Sequence, residues 1–491
     1  MCGICGYYGE NVADRPLPLE TLRHRGPDDR GTAAAAQFKL GHTRLAIIDL
    51  DNGSQPMWNE DHSLCLVFNG EIYNHVQLRA ALQARHSFRT RSDTEVILHL
   101  FEAEGASAVT RLDGMFALAI AGPDELVLAR DPLGIKPLYY QVNDENLFFA
   151  SELKSFTDPQ HPIRELPPGS VYGTVRGWQP YYWVPRDFEE EMSWEECLAG
   201  LRQRLAAAVR KRLMADVPLG CFLSGGLDSS IVTALARQAL PELHTFSVAT
   251  ERGTDRDYAR LAARLLGTAH HECLVKPAAL WEALPEIIFA LESFDQSLVR
   301  SAVANYFLAR LAAEHVKVVL TGEGADELFA GYAYLDRFED AASLNEELWR
   351  ITRDLYRTNL QRVDRMTMAH GLEARVPFLD LEVVRWALRT PAAFKRSPAG
   401  ISKWCLREAF KDELQRTDAL LYRAKEKFGQ GSGVTEILAE LAAAKVADGG
   451  YRKELERGTK LRSKEEYYYF QIYCSLFGRE SAAQLVGRSR S

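Results

Sequence analysis

The sequence has no excess of positive charge and no long hydrophobic run. Its 59 Lys and Arg residues are outnumbered by 67 Asp and Glu residues, which leaves a net charge of −8. A nucleic-acid coat needs a basic excess to neutralise phosphates, and a membrane span needs ~18–20 consecutive apolar residues. The first residues, MCGICGYYGE, lack the basic and apolar regions of a signal peptide. We therefore expect a cytoplasmic protein that binds neither nucleic acid nor membrane.

Cysteine is also sparse, with eight residues in a chain of 491. Only Cys2 and Cys5 form a C-x-x-C, and no second pair completes a metal site of four cysteines. The other six are expected to be small buried apolar residues in a reducing compartment. The length itself allows two to four domains.

The first ~185 residues read as short strands separated by Gly, Asn, Asp and Pro, as in KLGHTRLAIID and MFALAIAG. The pattern predicts helices over 75–84 and 92–104, the second opened by a capping box of Ser92 and Glu95. An acidic stretch, 185–196, is the predicted linker. From residue 193 strands alternate with helices of ten to fifteen residues, which predicts βαβ units and a parallel sheet. The chain beyond Gly331 is predicted mostly helical, and 481–491 a flexible tail.

The stretch 219–230, LGCFLSGGLDSS, reads as a buried strand, a glycine turn and the first turn of a helix. It has neither the lysine of a Walker A loop nor a G-x-G-x-x-G fingerprint. Backbone N–H groups and hydroxyls at a helix N-terminus suit the pyrophosphate that ATP releases when its α-phosphorus is attacked. The residues concerned are Ser224, Gly225, Gly226, Asp228 and Ser229, with Asp228 as a candidate magnesium ligand.

A second loop, TGEGADELFAGY (321–332), also follows a buried strand, so the two loops are expected at the same edge of the sheet. Asp326 is a candidate second magnesium ligand and Glu323 a candidate general base. Lys425, in RAKEKFGQGSG, could balance charge on the α-phosphate. Helix-capping acids and a solvated surface lysine remain the alternatives.

Cys2 follows the initiator methionine, whose removal would give the cysteine a free α-amine as its own general base. Asn69 and Gly70, in FNGEIYN, could supply the N–H donors of an oxyanion hole. Asp93, Glu71 and Arg44 supply charges that could hold the amine and carboxylate of a free amino acid. With Met1 retained, the nucleophile would lack that amine.

These motifs together resemble a known family. MCGI, RHRGPDD, FNGEIYN, RSDTEVIL and RDPLGIKPLYY are similar to class II glutamine amidotransferase domains, which are N-terminal-nucleophile hydrolases with an α/β/β/α sandwich. FLSGGLDSS, TGEGADELFAGY and RVDRMTMAHGLEARVPFLD resemble the synthetase domain of glutamine-hydrolysing asparagine synthetases. The resemblance covers roughly residues 2–478, with its motifs in the family's order.

The resemblance implies an α+β glutaminase domain over 2–185 and an α/β domain with a Rossmann-like parallel sheet over 195–480. It implies the substrates glutamine, ATP and aspartate, with Mg²⁺ as cofactor, and an ammonia tunnel between two sites. The implied glutaminase residues are Cys2 as nucleophile, Asn69 and Gly70 as oxyanion hole, and Arg44, Asn69, Gly70, Glu71 and Asp93 for glutamine. The implied synthetase residues are Leu223, Val248, Thr321 and Gly322 for ATP, 224–229 for pyrophosphate, Asp228 and Asp326 for the metal, and Glu323 and Lys425 for catalysis.

One stretch departs from the family. The best-known bacterial member has hydroxyl residues before an arginine in its aspartate-binding stretch, whereas this chain has DQSLVRS, with Arg300 kept, Ser297 in the place of a threonine and Leu298 apolar. The same chemistry on a different carboxylate therefore stays open. So do an ATP-dependent cyclase of the β-lactam or lasso-peptide type and a non-catalytic binding protein. The oligomeric state is also open, with a homodimer as one option.

Overall fold

A computed structural model describes residues 2–143, 146–186, 188, 191–397, 399–479 and 485–489. Its chain contacts divide into two compact units. The first comprises Met1–Trp183, Met214–Val217 and Met368–Glu373; the second comprises Val184–Leu213, Pro218–Thr367 and Ala374–Ser491. Three residues of the predicted linker (187, 189 and 190) and six of the predicted tail (481–484, 490 and 491) lie outside the described residues.

The described residues of the first unit form mainly antiparallel strands, with three short α-helices. In chain order these are β1 Cys2–Gly9, α1 Leu19–Leu22, β2 Asp29–Ala35, β3 Phe38–Arg44, β4 Met57–Trp58, β5 Cys65–Ile72, α2 His75–Leu82, α3 Glu95–Glu104, β6 Gly114–Ala121, β7 Leu126–Arg130, β8 Tyr139–Val142, β9 Asn146–Ala150, β10 Arg164–Glu165, β11 Ser170–Gly173 and β12 Gly177–Pro180.

Two six-stranded sheets form the middle layers of this unit. Their strand orders are β10-β8-β9-β1-β3-β2 and β12-β11-β7-β6-β5-β4. Between the sheets lies an apolar core that includes Ile4 and Leu40 from one and Val67 and Ala119 from the other. A second core packs α2 and α3 on the outer face of β5 and β6, and a third packs Leu22 of α1 against β1 and β9. The layers are therefore helix, sheet, sheet, helix, which confirms the predicted sandwich.

One local prediction in this unit is wrong. The helix expected to begin at a Ser92–Glu95 capping box begins at Glu95, after Thr94. The Glu95 carboxylate instead accepts hydrogen bonds from the backbone N–H groups of Arg89 and Thr90, at 2.7 and 2.8 Å. Ser92 Oγ accepts the N–H of Thr94 at 3.1 Å. The acid therefore holds the preceding loop rather than its own helix end.

The second unit alternates strands with helices and then becomes helical. Its elements, with the two that cross the unit boundary, are α4 Trp194–Lys211, β13 Leu219–Phe222, α5 Leu227–Ala239, β14 His244–Ala249, α6 Asp255–Leu266, β15 Ala269–Leu274, α7 Pro277–Glu282, α8 Leu284–Leu291, α9 Gln296–Ala313, β16 Val318–Leu320, α10 Ala325–Leu328, α11 Ala341–Arg353, α12 Asn359–Met368, β17 Glu373–Arg375, α13 Leu381–Arg389, α14 Ala392–Lys395, α15 Trp404–Ala409, α16 Asp418–Leu421, α17 Phe428–Gly431, α18 Val434–Lys445, α19 Asp448–Glu456 and α20 Lys464–Phe477.

The sheet of this unit has the order β15-β14-β13-β16-β17. The pairs β14–β15, β13–β14 and β13–β16 are parallel, which confirms the predicted α/β class. The strand order reverses between β13 and β16, and ligands of such sheets bind at the carboxyl edge where that reversal occurs. Both predicted loops leave the sheet there. No helix in the described part of the chain is long and apolar enough to cross a membrane.

The described part of the predicted tail makes polar contacts. Ser489 N–H donates to Asp295 Oδ2 at 3.0 Å, and Arg488 pairs with Glu466 at 2.9 Å. These contacts lie within the second unit and attach residues 488 and 489 to the start of α9 and to α20.

Asp380 carries a buried charge cluster that we expect to dominate the stability of the second unit. Its Oδ2 accepts from Arg212 at 2.7 Å and pairs with Lys211 at 2.5 Å. Burial raises the pKa of this carboxyl, but Arg212 and Lys211 outweigh burial and hold the pKa below its usual value. Asp380→Asn should therefore lower the free energy of unfolding by about 3–5 kcal/mol at pH 7, because it leaves buried positive charge without its carboxylate.

The pH dependence of that effect has a definite sign. A depressed folded pKa stabilises the protein above the unfolded Asp pKa of about 3.9 and stops doing so as pH falls through the folded value. The gap between wild type and Asp380→Asn in urea unfolding should thus be complete at pH 7 and shrink below about pH 4. Asp412→Asn is the control, since Asp412 is largely exposed and pairs with Arg416 at 2.8 Å. Equal unfolding midpoints for the two variants would contradict the assignment.

Candidate active sites in the two units

Cys2, Arg44 and Asn69 lie together in the first unit. Cys2 begins β1 and is the register partner of Arg44, which ends β3. The backbone N–H of Cys2 donates to Asn69 Oδ1, on β5, at 3.0 Å. Antiparallel pairing of β1 with β3, and the contact of β1 with β5, thus place three predicted residues around one thiol.

Asn69 also offers a donor at this point. Its Nδ2 is buried and has no hydrogen-bond partner among the described residues. A buried amide donor without a partner costs about 1–3 kcal/mol, so it is expected where a ligand supplies the acceptor. At Gly70 a Cβ would lie 2.1 Å from the Met115 carbonyl oxygen, so the strand pairing requires glycine there.

The charged residues predicted for glutamine are also in this unit. The Arg44 guanidinium donates to the carbonyl oxygens of Asp49 and Leu50 at 2.7 and 2.9 Å, which fixes its position. Asp93 Oδ2 accepts the Ile72 N–H at 2.7 Å and so lies against the end of β5. Glu71, two residues from Asn69 on β5, is buried, and alternation places both side chains on one face of the strand.

The Cys2 thiol is buried and neutral in its resting state. Burial raises its pKa, and the hydrogen bond from the Leu45 backbone and the charge of Arg44 offset only part of that rise. A buried thiol with a raised pKa is a poor nucleophile until a base removes its proton. The site therefore needs a base beside the sulfur.

In the second unit, β13 leads through the glycine turn into α5, as predicted. Gly225 has φ +70°, and a Cβ there would lie 2.2 Å from the Tyr258 carbonyl carbon. Ser224 and Ser229 hold the turn closed, because their hydroxyl oxygens lie 3.2 Å apart and Ser224 Oγ accepts the Gly226 N–H at 3.3 Å. The turn thus presents two hydroxyls in front of the N-terminus of a 13-residue helix.

Four side chains form a lysine–carboxylate network between the two loops. Lys403 Nζ lies 2.5 Å from Asp228 Oδ2 and 2.6 Å from Asp326 Oδ1. Lys425 Nζ lies 2.6 Å from Asp326 Oδ2. Asp228 follows β13 and Asp326 follows β16, so the network joins the two strand ends at which the strand order reverses.

The ion pairs of the network shift the pKa values of its members. Burial raises the pKa of Asp326, but Lys403 and Lys425 outweigh it and hold the pKa below the usual range. Burial lowers the pKa of Lys425, but Asp326 and Asp228 outweigh it and raise the pKa above the usual range. Both groups are therefore charged at neutral pH.

Glu323 lies beside this network and pairs with Arg362 of α12. Burial raises the pKa of Glu323, and Arg362 and Lys425 offset part of the rise. A carboxyl with a raised pKa is a better proton acceptor than a solvated one, which suits the predicted general base.

The predicted ATP residues line one cavity. The residues that line it include every predicted synthetase residue apart from Gly225, Ser297 and Arg300. The predicted residues that line the cavity are Leu223, Ser224, Gly226, Asp228, Ser229, Val248, Thr321, Gly322, Glu323, Asp326 and Lys425. Gly225 instead lies against α6, where it allows the turn.

A second cavity of about 600 Å³ adjoins the first and shares Glu323, Asp326, Lys425 and Phe428 with it. Ser297 and Leu298 of α9 line this cavity, and Arg300 does not. The Arg300 guanidinium is instead held by both carboxylate oxygens of Glu465, at 2.8 and 2.6 Å. The structure therefore brings Ser297, but not Arg300, to the space beside Glu323.

Sequence reasoning missed Lys403, Arg362 and Arg423. Arg423 donates to the Ser224 carbonyl at 2.9 Å and pairs with Asp255 at 2.5 Å, which fastens the RAKEK loop to the glycine turn. Its place two residues before Lys425 could have indicated it. Lys403 carries no such signal: it is the residue before α15 and has a φ of +56°, which is uncommon for lysine.

The donor set at Asp228 and Asp326 fits Mg²⁺. Mg²⁺ prefers one or two carboxylates together with substrate phosphates. Asp228 Oδ1 is buried without a hydrogen-bond partner among the described residues, and the other network oxygens face lysine ammonium groups. Two carboxylates already balanced by cations are thus available to a divalent ion at the edge of the glycine turn.

Gly225→Ala should damage this site far more than an alanine substitution at a glycine whose surroundings are open. The substitution forces an alanine to φ +70° against the Tyr258 backbone, so the turn must shift. A displacement of about 1 Å can lower a rate ~100-fold, and we expect that loss in pyrophosphate formation from ATP. Gly267→Ala is the matched control, since Gly267 has φ +64° with nothing within 4 Å; it should cost only the left-handed strain of about 1–2 kcal/mol in stability. Equal pyrophosphate rates in the two variants would show that the turn geometry is unimportant.

Comparison with known proteins agrees with this geometry. Residues 1–171 match the model of a glutamine amidotransferase domain, and residues 200–341 and 336–485 match that of asparagine synthase. The glutamine-hydrolyzing asparagine synthetases 2 of Arabidopsis thaliana and of Oryza sativa subsp. japonica are each 37% identical over 99% of this chain, covering 89% and 87% of their own lengths. A probable glutamine-hydrolyzing asparagine synthetase of Schizosaccharomyces pombe is 36% identical over 98% of this chain and 94% of its own. The family predicted from the motifs is confirmed: the chain belongs to the glutamine-hydrolysing asparagine synthetases.

Proposed function

We propose that this asparagine synthetase works through one site in each unit, with residues 2–185 as the glutaminase domain and 195–480 as the ATP-using domain. The observation that carries the proposal is that two groups of side chains occur in the same chain. One is a buried cysteine beside a partnerless amide donor; the other is a lysine–carboxylate network at the mouth of a phosphate-binding turn. The eight free thiols support the cytoplasmic location.

In the glutaminase site, removal of Met1 gives Cys2 a free α-amine that takes the thiol proton. The hydrogen bond to Asn69 Oδ1 holds that nitrogen in position. The thiolate attacks the glutamine side-chain amide, and Asn69 Nδ2 with the Gly70 N–H stabilises the resulting oxyanion. Ammonia leaves with the proton, and water then releases glutamate from the thioester.

Glutamine itself is held by charge. The carbonyl oxygens of the 48–50 loop fix the Arg44 guanidinium, which binds the α-carboxylate. Asp93 and Glu71 bind the α-amine.

In the synthetase site, the acceptor carboxylate attacks the α-phosphorus of ATP, forming an acyl-adenylate and releasing pyrophosphate. The family uses ATP. Ser224, Ser229 and the α5 N-terminus hold the leaving pyrophosphate, and Lys425 with Lys403 offsets the charge that develops on the phosphates. Asp228 and Asp326 would hold Mg²⁺, which when bound neutralises phosphate charge.

Ammonia then attacks the acyl carbon, AMP leaves, and asparagine forms. The nitrogen must lose a proton in that step, and Glu323 is the base best placed, because it lines both cavities. The balance of charge in the second cavity supports an acidic acceptor such as aspartate. Its basic side chains outnumber its carboxylates; they are Arg350, Arg353, Arg357, Arg362, Lys425, Lys427 and Arg488, against Glu323, Asp326, Glu327 and Asp354.

Cys2→Ala tests the two-site mechanism. The variant should lose glutamine-dependent asparagine formation by more than about 1,000-fold, because the nucleophile is gone, and keep the rate with ammonium chloride as nitrogen donor. Cys5→Ala is the control; Cys5 is a fully buried thiol on the same strand, and that variant should keep both rates. Loss of the ammonia-dependent rate in Cys2→Ala with an unchanged melting temperature would rule the mechanism out.

The acceptor is tested by pyrophosphate formation with a panel of acids in place of aspartate. L-Aspartate should give the highest kcat/KM among L-aspartate, L-glutamate, D-aspartate, malate, succinate and N-acetylaspartate. Ser297→Ala should raise KM for the acceptor more than KM for ATP, since Ser297 lines only the second cavity. A faster reaction with another acid, and none with aspartate, would assign the enzyme to a different carboxylate.

A further inference from the structure

Three histidines from different elements lie together in the second unit, outside both cavities. His244 begins β14, His271 lies on β15, and His315 follows α9. One ring nitrogen of each lies within 4.8 Å of the others. His244 Nδ1 and His271 Nε2 are 2.9 Å apart, and the ring centroids of His271 and His315 are 3.9 Å apart.

Parallel pairing explains why two of these rings meet. In the β14–β15 register, His244 is opposite Ala269 and Phe246 is opposite His271. Alternate residues of a strand share a face, so His244, Phe246 and His271 point to the same side. The Phe246 and His271 rings stack at 5.2 Å, which forms a floor under the cluster.

The cluster is remote from the phosphate-binding turn. His244 is at the level of Gly220, near the start of β13, whereas Ser224 follows the end of that strand. Four residues of strand span about 13 Å. His244 is therefore near the amino-terminal edge of the sheet, and His271 lies two strands away from β13, opposite Phe246. None of the three histidines lines either cavity, so the mechanism above does not use them.

The chemistry of the cluster is that of a ligand set. A neutral imidazole offers a lone pair to Zn²⁺, Cu²⁺ or Ni²⁺. Two metal–nitrogen bonds of about 2.05 Å put their nitrogens about 2.9 Å apart at the 90° angle of Cu²⁺ and Ni²⁺ sites, which matches this separation, and about 3.3 Å apart at the tetrahedral angle of Zn²⁺.

We propose that His244, His271 and His315 bind one divalent transition-metal ion of the zinc, copper or nickel class, with water at the remaining positions. The ion would join β14, β15 and the segment between α9 and β16. Three imidazoles leave coordination positions open, as in sites that keep a water ligand. Its effect would be on the stability of this end of the sheet.

A second group in the described residues, Glu60, His86, His99 and Glu102, also has possible ligand atoms within 4.8 Å of one another. Its histidines already pair with carboxylates, His99 Nδ1 with Glu102 at 3.0 Å and His86 Nδ1 with Glu60 at 3.4 Å. That group is satisfied as an ion-pair cluster, whereas the three-histidine cluster has no carboxylate among its members.

The test is Zn²⁺ binding by the full-length protein, stripped with a chelator, gel-filtered and kept in excess Mg²⁺ to occupy carboxylate sites. Zn²⁺ is titrated in competition with a chromophoric chelator. His315→Gln and His271→Gln should each lose one equivalent of bound Zn²⁺, or weaken that equivalent by more than about 100-fold, since loss of a mere outer partner already costs 10–100-fold. His315 is exposed, so its variant should fold.

His270→Gln is the matched control. His270 is adjacent in sequence but points to the other side of β15, where its Nδ1 lies 3.0 Å from Thr245 Oγ1 and its Nε2 3.1 Å from Ser247 Oγ. The His270→Gln variant should keep the bound equivalent of Zn²⁺. Zn²⁺ should raise the melting temperature of His270→Gln, as it does for wild type, but should not raise that of His315→Gln. Equal zinc stoichiometry and affinity in wild type and His315→Gln, or a zinc-dependent melting shift that survives in His315→Gln, would overturn the proposal.

Discussion

The synthetase site depends on the contact of two lysines with two carboxylates. Asp228 and Asp326 lie at the ends of neighbouring parallel strands, where two buried negative charges would repel each other strongly. Lys403 bridges them and Lys425 pairs with the second. The turn and the acidic loop can therefore come together before ATP arrives. If triphosphate and Mg²⁺ bind here as proposed, each lysine would gain a new anion and each carboxylate a new cation, so the local charge would stay balanced.

The proposed glutaminase site meets a different requirement: its nucleophile, the Cys2 thiol, must stay inactive until glutamine is present. Burial keeps the Cys2 thiol protonated, and Arg44 and the Leu45 N–H reduce that effect without reversing it. In the proposed mechanism the base is the amine of the same residue, whose nitrogen Asn69 Oδ1 holds, and Asn69 Nδ2 is a donor without a partner among the described residues. One asparagine side chain thus positions the base with its oxygen and offers an oxyanion donor with its nitrogen. Base and donor are therefore aligned by a single rigid group on β5.

Much of this was predictable from local sequence, and what was missed has physical reasons. The turn of 224–229, the carboxylates of 321–332 and the position of Asn69 on β5 are each encoded within a dozen residues, and short-range rules predicted them. Lys403 was missed because it reaches the site only through tertiary packing of α15 and has a backbone conformation uncommon for lysine. The Ser92–Glu95 capping box failed because Glu95 had closer donors in the preceding loop. Arg300 had the expected type and position, but Glu465, 165 residues later in the chain, holds its guanidinium.

The Arg300–Glu465 pair also bears on acceptor selection. A guanidinium bound by both oxygens of a buried carboxylate has few donors left for a substrate. Freeing it would leave Glu465 as a buried uncompensated charge, which costs several kcal/mol. Arg300 is thus better suited to fixing α9 against α20 than to binding a carboxylate. We therefore expect Ser297 and the arginines Arg350, Arg353, Arg357 and Arg362, which line the second cavity, to recognise the acceptor. Because those arginines come from α11, α12 and the segment between them, acceptor preference can change there without altering the lysine–carboxylate network.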